Sequence, residues 1–214
     1  MSPSRHGTTV AVLPVKRFGS AKQRLAPHGM SEGTRRALAE AMVTDVLIAL
    51  RRSKSIDRVL VVTGEPAAEA LAGGYDASVV ADPADAGHTP AARLGIQAAV
   101  MLGAARVLVI PGDCPAVVPA EVDALVERAI RGSAPEVLIV PDRHGTGTNA
   151  LMLTPPDVMV PAFGEGSRAR HERLAAEAGA ACEVLDVPSL VLDVDTVEDL
   201  EALREALAQV HGNA

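Results

Sequence analysis

The run Val107-Leu108-Val109-Ile110-Pro111-Gly112-Asp113 constrains the fold of this chain more than any other segment. It is apolar without alternation up to its last three residues, which is what a strand covered on both faces requires, so it is predicted to be a central strand. Runs of similar character come before it: TVAVLPV at 9–15, RVLVV at 58–62 and ASVVAD at 77–82. Helix-period segments stand between and after them, from Ser31 to about Arg52 and from near Pro90 to Gly103, and a further helix puts Val122, Leu125, Val126, Ala129 and Ile130 on one face. This is a βαβ rhythm, and it predicts an α/β fold with a mostly parallel sheet and flanking helices.

From Glu136 the rhythm changes to EVLIVPD, a polar Gly/Thr loop, NALML, a Pro-rich stretch, a helix after Ser167, and the two runs CEVLDV and LVLDVD. This half is expected to mix hairpin-like and parallel pieces, making the sheet mixed. The last helix is predicted to start at Thr196, where Thr196 and Asp199 form a capping box, and to bury Leu200, Leu203, Leu207 and Val210. Nothing in 1–214 reads as a linker, a repeat or a low-complexity segment, so one domain is expected. With one Tyr, two Phe and no Trp, its core must be built from Ala, Val, Leu and Ile.

The net charge of -7 argues against a nucleic acid or an acidic membrane as partner, since both select a basic footprint. A small anion needs only a local cluster of cations and backbone N–H groups. Cys114 and Cys182 are too few for a disulfide framework or a metal-ligand pattern, and the first ten residues hold no apolar stretch of signal-peptide length. A cytoplasmic protein with two free thiols is the expectation. No exposed apolar stripe demands a partner subunit; were a homodimer to form, the long helix from Ser31 could supply its interface.

Four constellations could carry chemistry. The first is the basic loop Pro14-Val15-Lys16-Arg17-Phe18-Gly19-Ser20-Ala21-Lys22-Gln23-Arg24-Leu25, directly after the first strand. Ligands of open α/β sheets bind outside the carboxyl ends of strands, so Lys16, Lys22 and Arg24 are placed to neutralise a triphosphate; a solvated basic loop is the plain alternative. The second is Gly112-Asp113-Cys114-Pro115, whose carboxylate emerges from the central strand and suits Mg²⁺, or else caps a turn. The third is Asp193-Val194-Asp195, predicted as strand, with both carboxylates on one face and either a metal between them or solvent around them. The fourth joins the loop from Asp142 to Asn149 with Phe163-Gly164-Glu165-Gly166-Ser167. Gly164 to Ala169 matches G-x-G-x-x-A but lies far from a first strand, so it is read as a glycine turn opening a helix that Ser167 caps, with the Thr148 and Ser167 hydroxyls as neutral donors. His171, one turn on, is read as a packing or capping residue.

In order along the chain, Pro-x-Lys...Ala-Lys-x-Arg-Leu, Gly-Asp-x-Pro, Asp-Arg-His-Gly-x-Gly-Thr-Asn, Phe-Gly-x-x-Ser...His and Asp-x-Asp-Thr-x-x-Asp-Leu resemble the guanylyltransferases of coenzyme F420 biosynthesis. The resemblance implies a nucleotidyltransferase of the glycosyltransferase-A-like type, with a nucleotide-binding half at about 8–131 and an acceptor-binding half at about 132–214. It implies GTP and a small phosphorylated three-carbon acid as substrates: phosphoenolpyruvate, 2-phospholactate or 3-phosphoglycerate. Asp113 and Asp195, with Asp193, would hold Mg²⁺; Pro14, Lys16, Lys22, Arg24 and Asp82 would bind the nucleotide; Thr148, Gly164 and Ser167 would bind the acid; Lys22 and Asp113 would be catalytic. Where many members show Gly-x-Asn, this chain reads Gly87-His88-Thr89-Pro90. A nucleotide-sugar-using glycosyltransferase and a nucleotide-sensing protein without turnover are the competing readings.

Overall fold

The apolar runs form one seven-stranded sheet in a computed structural model that describes residues 7–212, with side chains as far as residue 205. The strands are β1 (Thr9–Val15), β2 (Arg58–Thr63), β3 (Ser78–Ala81), β4 (Arg106–Val109), β5 (Glu136–Pro141), β6 (Thr148–Thr154) and β7 (Ala181–Val184). Their order is β3-β2-β1-β4-β6-β5-β7, so β4 is the middle strand, as its unbroken apolar run predicts. Only β6 opposes its neighbours, pairing antiparallel with both β4 and β5, while β7 returns parallel to β5.

The described residues include six α-helices: α1 (Glu32–Arg52), α2 (Pro66–Gly74), α3 (His88–Met101), α4 (Pro119–Arg131), α5 (Ser167–Glu177) and α6 (Val197–Gly212). The period-2 alternation of each strand divides its side chains between two layers. Ala11, Leu13, Leu108, Ile110, Leu138 and Met152 pack with Val43, Leu47 and Leu125 of α1 and α4. Val10, Val12, Val107, Val109, Ile139 and Leu151 pack with Ala92 and Ile96 of α3. On α3 a Cβ at Gly95 would lie 2.3 Å from Val12 Cγ1 and 2.9 Å from Val62 Cγ2, so only glycine lets this helix lie so close to β1 and β2. No helix among the described residues is long and apolar enough to cross a membrane.

Helix starts follow their caps. Ser31 Oγ accepts the Thr34 N–H (3.1 Å) ahead of α1. Thr196 and Asp199 cap α6 reciprocally, at 2.7 Å from the Thr196 N–H to Asp199 Oδ2 and 3.3 Å from the Asp199 N–H to Thr196 Oγ1. Leu200 and Leu203 of α6 are half-buried, while the side chains of Leu207 and Val210 lie outside the described residues. Two local expectations are corrected, and one helix is added to those read from the sequence. LVLDVD is not a strand: a 3-10 turn at Pro188–Leu190 leads into an extended segment that joins no sheet, and Leu190, Leu192 and Val194 alternate inward because the core takes them. Helix α2, unassigned from sequence, buries Ala68 and Ala72 with Ala67 and Leu71 partly buried beside them, a stripe of mostly alanine too slight to show as a period. Ser167 does not cap α5; Gly166 does so in a left-handed conformation (φ 66°), and Ser167 is the first helical residue.

Candidate active site

Strands β1 and β4 run side by side and end at the same edge of the sheet, where β1 hands its chain to the basic loop and β4 hands its chain to Asp113. After β1, Phe18 buries its ring and donates its N–H to Glu65 Oε2 (3.0 Å). Glu65 is itself buried at the start of α2, where its other oxygen accepts the Ala67 N–H (3.3 Å). The basic loop is thus pinned to the scaffold before it turns at Lys22, which adopts the left-handed region (φ 55°, ψ 37°) uncommon outside glycine.

The side chain of Lys22 is only 7% exposed, and its Nζ lies 2.7 Å from Asp113 Oδ2 and 2.9 Å from Asp195 Oδ1. Burial works against the charge on Lys22, but the two carboxylates outweigh it and raise the pKa above its usual 10.5. The segments bearing the acids are stitched together: the N–H of Val194 donates to the carbonyl of Asp113 (3.0 Å). Asp195 is held from behind, since its N–H donates to Asp199 Oδ2 (2.9 Å). Asp199 also pairs with Arg143 (2.7 Å); burial pushes its pKa up, but the Asp195 and Thr196 donors and Arg143 bring it below the usual carboxylate value.

Lys22, Asp113 and Asp195 line a cleft of ≈ 240 Å³ with Pro14, Lys16, His88 and Gly112. Arg24 stands at its rim, exposed, 3.7 Å from Asp195 Oδ2. His88 opens α3 and meets Phe163 edge-on (centroids 4.5 Å), and Phe163 in turn meets His171 of α5 (5.0 Å). His171 is fully buried, with Nδ1 3.0 Å from Thr148 Oγ1 at the start of β6. Because β6 opposes β4, its first residue, Thr148, lies at the edge where β4 ends; Gly164 (φ 112°) and the buried Ser167 stand at the start of α5, and none of the three lines the cleft itself.

Residues 9–213 match the family of CofC-like guanylyl transferases. The chain belongs to this family. The phosphoenolpyruvate guanylyltransferase of Conexibacter woesei is 55% identical over 207 residues, covering 97% of this chain and 92% of its own. The 3-phospho-D-glycerate guanylyltransferase of Phenylobacterium zucineum is 36% identical over 192 residues, 88% of this chain and 86% of its own. A nucleotidyl transferase from Methanothermobacter thermautotroptrophicus superposes with a TM-score of 0.67 at 22% identity, over 95% of this chain and 99% of that one, and shares the fold.

In this CofC-like chain the sequence-derived residues fall into distinct places. Lys22, Asp113 and Asp195 meet; Pro14 and Lys16 line the same cleft; Arg24 reaches its rim. Asp193 is turned aside: its Oδ1 accepts from Asn149 Nδ2 (3.2 Å), whose amide also reaches the Leu190 carbonyl (2.9 Å). Burial and then Asp113 raise the Asp193 pKa. Asp82 is buried at the end of β3, its Oδ1 accepting the Asp85 N–H (3.2 Å), and does not line the cleft. Among the described residues no three His, Cys, Asp or Glu side chains converge closely enough to hold a metal by themselves. Two hard carboxylates already converging on one cation, with room beside them, nevertheless fit Mg²⁺, which binds through one or two carboxylates and completes its shell with substrate phosphate and water.

Sequence reasoning missed Glu65, although an acid followed by Pro66 at the end of an apolar run is a helix-start signature. Cys114 is buried, its Sγ facing the Leu190 carbonyl, and burial raises its thiol pKa well above 9.0; it packs and does not react.

Proposed function

We propose that this chain transfers GMP from GTP to phosphoenolpyruvate, releasing pyrophosphate, as a cytoplasmic step of coenzyme F420 biosynthesis. The observation that carries the reading is the Lys22 ammonium held between Asp113 and Asp195 at the carboxyl ends of β1 and β4. That cluster supplies cation and carboxylates where a metal-bound triphosphate needs both. The curated relative named for phosphoenolpyruvate is more similar over a larger share of the chain than the one named for 3-phospho-D-glycerate, which favours phosphoenolpyruvate as the acid.

The acid's phosphate is already an anionic nucleophile near neutral pH, so no general base is required. One of its oxygens forms a bond to the α-phosphorus of GTP while the bond from that phosphorus to the bridging oxygen breaks, and the electron pair leaves with pyrophosphate. Lys16, Lys22 and Arg24 neutralise the triphosphate, and the pinned loop holds them without reorganisation during reaction. Asp113 and Asp195 would hold Mg²⁺, while Asp193, tied to Asn149, would add its negative charge nearby. When bound, Mg²⁺ supplies Lewis-acid stabilisation of charge on the phosphate oxygens. Thr148, Ser167 and the turn at Gly164 hold the acid, with the nucleotide on residues of the half at 8–131 and the acid on those of the half at 132–214. Family membership disfavours the readings as a nucleotide-sugar-using glycosyltransferase or as an inactive nucleotide binder.

The test is pyrophosphate release from GTP and Mg²⁺ with phosphoenolpyruvate, 2-phospho-L-lactate and 3-phosphoglycerate supplied separately, with ATP and CTP as controls. Release that needs GTP and phosphoenolpyruvate is expected; a preference for another acid overturns the substrate assignment. The substitution Asp113→Asn is expected to abolish turnover while leaving the melting transition in place, and a variant that still turns over sinks the metal assignment.

A further inference from the structure

We propose that His171 is a positioning residue that fixes Thr148 as an obligate hydrogen-bond donor toward the acceptor acid. The inference rests on the reading of Thr148 as an acid-binding residue.

The direction of the bonds follows from a backbone group. The N–H of Ala162 lies 3.0 Å from His171 Nε2 and can only donate, so Nε2 carries no proton. A neutral ring has one proton, which must then sit on Nδ1. Nδ1 is 3.0 Å from Thr148 Oγ1 and donates to it. With that lone pair engaged, the hydroxyl's own proton is turned away from the ring and is available to an anion. The opposite tautomer would take the proton of Thr148 for the ring and leave the site presenting lone pairs, which repel a carboxylate or phosphate.

The surroundings hold this arrangement in place. His171 is fully buried, so burial first, then Arg170 and His88, lower its pKa to about 4 and keep it neutral near pH 7. The Ala162 peptide is fixed on its other side, where its carbonyl accepts from Arg170 Nη1 (2.7 Å). The edge of Phe163 packs against the ring (interplanar angle 77°), and the N–H of Phe163 is held by Thr89 Oγ1 (2.9 Å). Ser167 lies one helical turn before His171 on the same buried face, and the start of α5 is tied to the loop that carries Thr148, since the Arg168 N–H donates to the Thr146 carbonyl (3.1 Å). The loop before α5 therefore does more than bend the chain. It sets the polarity of Ala162 N–H to Nε2, Nδ1–H to Oγ1, and O–H to ligand.

Two measurements test this. In the intact protein labelled with ¹⁵N on histidine, ring-nitrogen shifts near neutral pH are expected to show His171 in the Nδ1–H form, assigned by the signals lost in His171→Asn. Finding the Nε2–H form, or a charged ring, overturns the proposal without reference to activity. In steady-state kinetics, His171→Leu is expected to raise KM for the acid on the order of tenfold while KM for GTP holds, and His171→Asn, which keeps an N–H near the place of Nδ1, is expected to restore most of it. In a Thr148→Val background the Leu substitution is expected to add little, because its partner is already gone. Equal and additive losses in both backgrounds, or a matching rise in KM for GTP, would mean that His171 only packs. Wild-type silence with all three acids would instead overturn the proposed function, and the tautomer measurement would still decide this proposal.

Discussion

Single residues at this site are legible from sequence when their type is out of place and illegible when their partner is backbone. Lys22 and Asp113 stand out because a basic loop in an acidic chain and a carboxylate ending an apolar run both ask for an explanation. Their meeting across 91 residues does not show in any local pattern. The role of His171 is hidden because an Ala162 N–H leaves no mark in the sequence. The same residue has a thermodynamic signature. Its folded pKa of about 4 lies below the ordinary 6.5, so between those values the unfolded chain binds the extra proton and stability falls as pH falls. His88, also lowered to about 4 by burial, acts with the same sign. By about pH 5, His171 alone is expected to cost about 2 kcal/mol relative to neutral pH, measured as the loss of unfolding free energy in urea. The loss should shrink in His171→Asn; an unchanged pH dependence there would count against a buried neutral ring.

At the scale of elements, caps and unbroken apolar runs are read well and isolated alternation is not. Ser31 and Thr196 mark the starts of α1 and α6 because a side-chain oxygen at an N-cap satisfies an otherwise orphaned N–H. LVLDVD misleads because alternate burial needs only a core on one side of an extended chain, whereas a strand also needs a neighbour to bond. Helix α3 shows how far an element can depend on one absent atom. Gly95→Ala is expected to force the helix off β1 and β2 and to destabilise the fold by about 1–3 kcal/mol, read as a lower melting temperature. An unchanged melting temperature would show that Val12 and Val62 can move aside.

For the whole molecule, the parallel rhythm predicts a sheet whose ligand edge is one set of strand ends, and the sheet has that form through β1, β2, β3 and β4. What the rhythm cannot show is the reversal at β6, which brings Thr148 to the same edge as Asp113. Nor does it show that the cleft is completed from near the far end of the chain. Lys22 and Asp195 are 173 residues apart, and Asp195 is held in place by Asp199 of the last helix. That separation has a consequence for biosynthesis: on the ribosome, every strand of the sheet is made before Asp195, the residue that closes the cluster around Lys22. On the proposed function, a nascent chain spends no nucleotide, however well its sheet has formed, until helix α6 has emerged. In refolding from urea, the far-ultraviolet signal of the sheet and helices is expected to recover before turnover does. Simultaneous recovery would place the docking of that last segment within the main folding step.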